Sequence, residues 1–249
     1  MSRWHGLRWW LLLMPALPLL VPLALHTRRR ALRLAPAAGP LQGVAGGQLP
    51  GKPLRLLVLG ESTVVGVGVS CLQQALVGCL ARALCERQGR PVVWRACGEN
   101  GITVAEARQR LLPQVLDDSP ELVLLVFGVN DSTALTSIRR WQRALGDMVE
   151  TLAAGGARVV FTGVPPLQHF RALPWLLRTL LGVRAALLDA GLREVAGRIA
   201  ADYCPLDLPF AAEYLALDGY HPSALGYRLW AEGVAGALSL APAPAGPAG

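Results

Sequence analysis

Short aliphatic runs alternate with longer amphipathic segments from residue 54 almost to the C-terminus. The run Leu-Val-Leu-Leu-Val-Phe at 122–127 has no polar position, which is typical of a strand covered on both faces of a parallel sheet. The predicted strands are 54–59, 92–97, 122–127, 158–164 and 203–206, and the predicted helices are 69–88, 104–116, 136–154, 184–201 and 223–238. Repeated βα units of this size predict a parallel sheet with right-handed crossovers and helices on both faces.

The N-terminus has a different pattern. Residues 9–25 form an uncharged apolar run that is flanked by arginines and interrupted by three prolines. A run of this length is near the lower limit for a membrane-spanning helix, and proline weakens a regular helix. We predict that residues 1–30 are an uncleaved membrane anchor. The alternative is a cleaved signal segment, which would leave a secreted or periplasmic protein.

Three other stretches lack the alternation of strands and helices. Residues 31–53 are rich in Ala, Gly and Pro and predict a linker, and residues 241–249 have the composition of a disordered tail. A single folded domain would therefore span residues 54–240. Within it, the apolar and irregular stretch 165–182 predicts either a cap beside a site or a packed surface excursion.

Composition supports a large core and argues against nucleic-acid binding. Hydrophobic residues make up 53% of the 249 residues and charged residues only 16%, while the formal net charge is +7. Most of the excess positive charge flanks the N-terminal apolar run, where arginine is typical of a membrane boundary. The residues concerned are Arg3, Arg8, Arg28, Arg29, Arg30 and Arg33. The body has no basic stripe with interleaved aromatic residues, so no nucleic-acid partner is predicted.

Cysteine and histidine usage indicates neither a metal site nor a disulfide framework. The five cysteines are an odd number without a Cys-x-x-Cys pair, and the four histidines are scattered along the chain. Zinc sites need a closer set of such ligands, so no metal and no cofactor are predicted. Buried thiols are the favoured interpretation of the cysteines, with disulfide pairing as the alternative.

Small polar residues follow the predicted strands at the edge where a parallel sheet collects its ligands. Ser62 follows the first strand, Gly101 lies after the second, Asn130 follows the third, and Asp218 and His221 lie close together near the C-terminus. Taken singly, such residues are more often helix caps or turn residues. Because the carboxyl ends of parallel strands meet at one edge, the combination predicts a single site.

Together these segments resemble the sequence blocks of the SGNH (GDSL-type) hydrolases. Gly60-Glu61-Ser62 corresponds to the Gly-Asp-Ser block, and Gly101 corresponds to the glycine of the second block. Gly128-Val129-Asn130-Asp131 matches the third block, and Asp218-Gly219-Tyr220-His221-Pro222 matches the last. The resemblance covers about residues 54–238. It implies a three-layer α/β/α sandwich with a five-stranded parallel sheet of flavodoxin-like order.

The resemblance also implies a role for each residue of the site. Ser62 is expected to be the nucleophile, His221 its general base, and Asp218 the group that orients the imidazole. The expected oxyanion hole consists of the backbone N–H groups of Ser62 and Gly101 and the side-chain amide of Asn130. These assignments agree with elementary chemistry, because a serine hydroxyl needs an adjacent base and histidine titrates near neutral pH.

One residue departs from the family pattern. Separately, the sequence does not fit either of two alternative assignments of the nucleophile. Glu61 stands where the family usually has aspartate, which leaves the level of activity open rather than the reaction class. The α/β-hydrolase elbow requires Gly-x-Ser-x-Gly, but Val64 occupies its last position. A cysteine nucleophile would have to be Cys97 or Cys204, and neither has a histidine partner in the sequence.

The expected function is hydrolysis of carboxylic acyl esters through an acyl-serine intermediate. Members of the resembled family include lipases, lysophospholipases, thioesterases and carbohydrate deacetylases, and the motifs do not choose among them. The apolar stretch 165–182 and the predicted anchor favour a lipid-like or other apolar ester as the small-molecule partner. The alternatives are an acyltransferase or thioesterase that uses the same site, and an inactive binding protein at a membrane.

Overall fold

The computed structural model describes residues 3–199 and 201–238. Six strands of this part form one sheet with the order β1-β3-β2-β4-β5-β6. The strands are β1 (Gln42–Ala45), β2 (Leu54–Gly60), β3 (Val92–Gly98), β4 (Leu122–Val126), β5 (Arg158–Thr162) and β6 (Ala201–Cys204). Strands β2 to β6 are parallel to one another, and β1 runs antiparallel to β3.

The predicted fold class is confirmed. The five predicted strands are all present, and taken alone they follow the 2-1-3-4-5 order that defines the flavodoxin-like arrangement. The number of strands needs a correction, because β1 adds a sixth at the edge beside β3. This strand lies within residues 31–53, the stretch predicted to be a linker, so part of that stretch belongs to the sheet.

The described residues contain seven α-helices. They are α1 (Arg3–Arg30), α2 (Leu76–Gln88), α3 (Val104–Arg110), α4 (Val129–Thr133), α5 (Ile138–Ala154), α6 (Trp175–Ala196) and α7 (Ala224–Ala237). Helices α2 and α7 pack on one face around Leu56 and Val58, whereas α3, α5 and α6 pack on the other face around Leu57 and Leu59. Alternate side chains of β2 therefore point into two separate cores, as expected for the central layer of a three-layer sandwich.

The amphipathic helix α5 shows how the sequence determines these elements. The Ser137 hydroxyl caps its first turn by accepting from the Arg140 N–H at 3.3 Å. Trp141 is fully buried, and its indole N–H donates to the Leu188 carbonyl at 3.0 Å. Gly155 and Gly156 then end the helix and lead into β5. The predicted helix 136–154 is thus almost the observed one.

Helix α6 starts earlier than the sequence pattern indicates. Residues 165–182 were expected to be irregular, but α6 begins at Trp175, so only the first part of that stretch is irregular. Leu177 and Leu187 of α6 are buried against Trp9 and Leu20 of α1. Because α6 contacts both the core and α1, it lacks the polar face that would have made its helical period visible.

The predicted membrane anchor receives no support from the structure. Within residues 3–199 and 201–238, no helix has both the length and the apolar character needed to cross a membrane. The predicted tail at 241–249 lies outside the described residues.

Candidate active site

The predicted nucleophile lies in a tight turn directly after β2. Gly60 ends the strand at a position where any side chain would overlap the Val126 carbonyl of β4, so glycine allows the two strands to pair closely. The Glu61 N–H then donates to the Val126 carbonyl at 3.1 Å, and the Val67 N–H donates to the Ser62 carbonyl at 3.1 Å. These bonds fix the Ser62 side chain at the carboxyl edge of the sheet, where it is 8% exposed.

The structure brings the three predicted triad residues into one hydrogen-bonded chain. Ser62 Oγ lies 2.9 Å from His221 Nε2, and His221 Nδ1 lies 2.6 Å from Asp218 Oδ2. With the imidazole proton on Nδ1, His221 donates to Asp218 and its Nε2 faces the serine hydroxyl as an acceptor. This is the geometry that allows an imidazole to remove the hydroxyl proton.

Asp218 is held by its own loop. Its Oδ1 accepts the backbone N–H groups of Tyr220 and His221, both at 3.0 Å. Burial alone would raise the pKa of Asp218, but the hydrogen bonds from the His221 ring and from these two N–H groups outweigh burial and lower the pKa. The carboxylate therefore stays ionised near neutral pH and fixes the orientation of the ring.

The loop that carries Asp218 and His221 is closed by backbone pairing. Ala216 donates to the His221 carbonyl at 2.8 Å, and Ser223 donates to the Tyr214 carbonyl at 2.9 Å. The Ser223 hydroxyl then caps α7 by accepting the Gly226 N–H at 3.2 Å. Helix α7 packs in the core, so its fixed N-terminus places the imidazole.

The three predicted oxyanion donors follow β2, β3 and β4 at the same edge. The N–H groups of Ser62 and Gly101 have no backbone acceptor among the described residues. Gly101 has φ of 87°, a conformation that favours glycine, although a Cβ there would meet no neighbouring atom. Asn130 Nδ2 donates to the Ile102 carbonyl at 3.1 Å, which leaves its second amide hydrogen for another acceptor.

Direct hydrogen bonds tie the three segments together. The Glu99 N–H donates to the Gly60 carbonyl at 3.2 Å, which joins the second segment to the first. The bond from Asn130 to Ile102 joins the third segment to the second. The predicted convergence of distant segments at one sheet edge is therefore what the fold produces.

Comparison with known proteins identifies the family of this chain. Residues 58–229 match the sequence profile of the GDSL-like lipase/acylhydrolase family. The chain belongs to this family.

Known proteins resemble this GDSL-family chain either in sequence or in fold. A GDSL-like esterase from Mycobacterium tuberculosis is 30% identical over 190 residues, which are 72% of this chain and 60% of that protein. The chain thus spans less than two thirds of that relative. The Enterococcus faecalis lipase/acylhydrolase superposes with a TM-score of 0.59 at 21% identity, covering 73% of this chain and 93% of the other. A Clostridium thermocellum family 3 carbohydrate esterase superposes with a TM-score of 0.59 at 14% identity, covering 74% of this chain and 94% of the other. These two similarities show the fold alone.

Glu61 is the residue in which this GDSL-family chain departs from the usual motif. Its side chain is 3% exposed and accepts the backbone N–H groups of Gly128 and Asn130, the latter at 3.1 Å. Burial, and then the nearby Asp131 carboxylate, raise the pKa of Glu61 to about 8, although the N–H groups of Gly128, Asn130 and Val129 oppose that shift. Glu61 thus holds the segment that carries the third predicted oxyanion donor, Asn130.

Asp131 is a buried residue of the site to which the sequence pattern gave no role. It is fully buried, and its Oδ2 accepts the Val104 N–H at 2.8 Å. Burial raises the pKa of Asp131, and that hydrogen bond opposes the rise. Since Val104 begins α3 just after Gly101, Asp131 connects the segment of the second predicted oxyanion donor with that of the third. The sequence feature that could have identified Asp131 is its position as the last residue of the Gly-x-Asn-Asp block.

An apolar cleft beside Ser62 and His221 is the other feature that the sequence did not reveal. The empty space in the cleft together with the open solvent in front of it totals about 550 Å³. Pro165 and Phe170 contribute to its wall, so part of the stretch expected to be either a cap or a packed surface excursion lies beside the site. The remaining wall comes from the Ser62 turn, from residues at the ends of β4 and β5, from the segments that follow β6 and surround His221, and from Trp230 of α7.

The structure also locates the two cysteines that were rejected as nucleophiles, and it bears on metal binding. Cys97 and Cys204 are buried free thiols, and burial raises the pKa of both, which disfavours the reactive thiolate. Among the residues that the structure describes, no three His, Cys, Asp or Glu side chains form a group that could hold a metal ion.

Proposed function

We propose that this chain hydrolyses carboxylic esters through an acyl-serine intermediate on Ser62. One observation carries the proposal: the Ser62 hydroxyl, the His221 imidazole and the Asp218 carboxylate form a continuous chain with separations of 2.9 and 2.6 Å. The order and contacts are those required for a serine nucleophile with a general base. Membership of the GDSL-like lipase/acylhydrolase family supports the same reaction class.

The first half of the proposed reaction forms the acyl-serine. Ser62 Oγ attacks the ester carbonyl carbon while His221 Nε2 takes the hydroxyl proton. The carbonyl oxygen becomes an oxyanion that receives hydrogen bonds from the N–H groups of Ser62 and Gly101 and from the Asn130 amide. When the tetrahedral intermediate collapses, the bond to the alcohol oxygen breaks and His221 returns the proton to the departing alcohol.

The second half repeats these steps with water. His221 removes a proton from a water molecule, whose oxygen attacks the acyl carbon of Ser62. Collapse breaks the bond to Ser62 Oγ, which takes its proton back from His221 and releases the carboxylic acid. Asp218 stays ionised throughout and stabilises the imidazolium that forms in each half.

Turnover of p-nitrophenyl acetate by the Ser62→Ala variant tests this proposal. Loss of the hydroxyl removes the attacking atom, so we expect the rate to fall by about a thousandfold or more with the circular dichroism spectrum unchanged. Ser70→Ala is the matched control, because Ser70 is an exposed serine in the same turn and hydrogen bonds to Gln74. Full activity in the Ser62→Ala protein would refute the proposal.

A further inference from the structure

Asp189 is a buried acidic residue in an otherwise apolar part of α6, and it belongs neither to the triad nor to the predicted oxyanion hole. It is 8% exposed, and its Oδ1 accepts the Val164 N–H at 2.9 Å. The Tyr203 hydroxyl lies 2.9 Å from the same oxygen, and Arg193 Nη2 lies 2.5 Å from Oδ2. Burying a carboxylate is costly unless it is paired, so these contacts explain how the fold tolerates it.

The backbone that follows β5 lies directly against this carboxylate. Gly163 is the first residue after the strand, and its N–H donates to the Cys204 carbonyl at 2.8 Å. A Cβ on Gly163 would lie 2.9 Å from the Tyr203 hydroxyl oxygen and 3.3 Å from Asp189 Oδ1. Glycine therefore allows the close approach that brings the Val164 N–H within hydrogen-bonding distance of Asp189.

Val164 connects Asp189 to the segment that carries Asn130. The Val164 side chain packs directly on the Gly128 backbone, because a Cβ on Gly128 would lie 2.7 Å from both methyl carbons of Val164. The Gly128 carbonyl accepts the Ser132 N–H at 2.9 Å at the start of α4, the helix that contains Asn130. The Gly128 N–H donates to Glu61 on its other side. Val164 and Glu61 thus both determine where Gly128 lies, and with it the first turn of α4.

We propose that Asp189 is a positioning residue for the oxyanion hole, acting through Val164 and Gly128 on the side-chain amide of Asn130. The inference rests on the proposed function, because it requires Asn130 to stabilise the oxyanion. Without the carboxylate, the Val164 N–H would be buried with no acceptor, and the segment would have to move to find one. A displaced Asn130 would then stabilise the oxyanion less, since the effect of such a donor depends on its placement before the reaction.

Steady-state kinetics of Asp189→Ala on p-nitrophenyl acetate give the first test, at a temperature at which circular dichroism shows the variant to be folded. We expect kcat to fall at least about tenfold and KM to stay within about twofold, because Asn130 acts on the transition state. Asp202→Ala is the matched control, because Asp202 of β6 is another carboxylate that pairs with an arginine, Arg158, at 2.7 Å. This control should keep the wild-type kcat.

A double-mutant cycle with Asn130→Ala separates positioning from a merely structural role. When the Asn130 amide is absent, its placement no longer matters, so adding Asp189→Ala should lower kcat by less than about twofold. A residue that only supports the fold would lower kcat by the same factor whether or not Asn130 is present. The two singly substituted proteins, the doubly substituted protein and wild type are therefore compared on the same ester.

Val164→Ala covers the case in which Asp189→Ala does not fold. It keeps the paired carboxylate but removes the methyl groups that pack on Gly128, so it should lower kcat in the wild-type background and not in Asn130→Ala.

The inference is overturned if the folded variant keeps the wild-type kcat, if only its KM changes, or if it lowers kcat equally in both backgrounds. Such a result leaves the proposed function intact when p-nitrophenyl acetate turnover still depends on Ser62, whereas turnover without Ser62 overturns both.

Discussion

Asn130 has a structural contact and a predicted chemical role. One of its amide hydrogens binds the Ile102 carbonyl, and the other is the expected donor to the oxyanion. We predict that Asn130→Ala lowers kcat on p-nitrophenyl acetate by about a hundredfold to a thousandfold with little change in KM, because the donor acts in the transition state. Steady-state kinetics check this, with the exposed Asn100→Ala as control. A kcat within twofold of wild type would remove Asn130 from the oxyanion hole.

Glu61 should make the stability of the protein depend on pH. Its pKa is raised from 4.5 to about 8 in the folded state, so the folded protein holds this proton more tightly than the unfolded chain. The stabilisation is complete below pH 4.5 and is lost as the pH rises towards 8, by at most about 1.4 kcal/mol per pH unit. Glu61→Gln cannot titrate and should lack this contribution.

Denaturant unfolding of wild type and Glu61→Gln at a series of pH values isolates the effect. The quantity to follow is the free energy of unfolding of wild type minus that of Glu61→Gln. This difference should be largest below about pH 5 and should fall steadily as the pH rises to about 8. Parallel curves across this range would show that Glu61 does not titrate as its burial implies.

At the scale of secondary structure, the clearest predictions came from strands buried on both faces. Strand β4 has only aliphatic residues, and β2 and β5 are nearly as apolar, so their positions could be predicted from hydrophobic runs. Strand β1 could not, because Gln42–Ala45 is short, contains glycine and alternates between exposed and half-buried positions. Such an edge strand is determined by its neighbour β3 rather than by its own sequence.

The pairing of β1 with β3 can be tested by a matched pair of glycine substitutions. A Cβ on Gly43 would overlap the Trp94 ring, whereas a Cβ on Gly47 would lie 3.6 Å from the nearest side-chain atom, on Val44. We predict that Gly43→Ala costs about 1–3 kcal/mol of stability and lowers Tm by several degrees, while Gly47→Ala has little effect. Thermal unfolding monitored by circular dichroism measures both. Equal Tm values would contradict the packing of β1 on β3.

At the scale of the whole molecule, the site was more predictable than the cleft beside it. The site combines short motifs with a topological rule, so Ser62, Gly101, Asn130, Asp218 and His221 could be brought together from the sequence. The cleft depends on side chains from loops without periodicity, and nothing in the sequence relates their positions to one another. The same limit applies to α6, whose contact with α1 conceals its helical pattern.

Labelling with a fluorophosphonate tests most directly whether Ser62 is the nucleophile. The probe forms a covalent bond only with a serine that is activated by its surroundings, and we propose that His221, 2.9 Å from the hydroxyl, activates Ser62 in this way. We predict one adduct per chain by intact mass spectrometry, located on the peptide that contains Ser62 and absent from Ser62→Ala. A folded wild-type protein that takes no label, or takes it at another residue while Ser62 stays unmodified, would contradict the assignment.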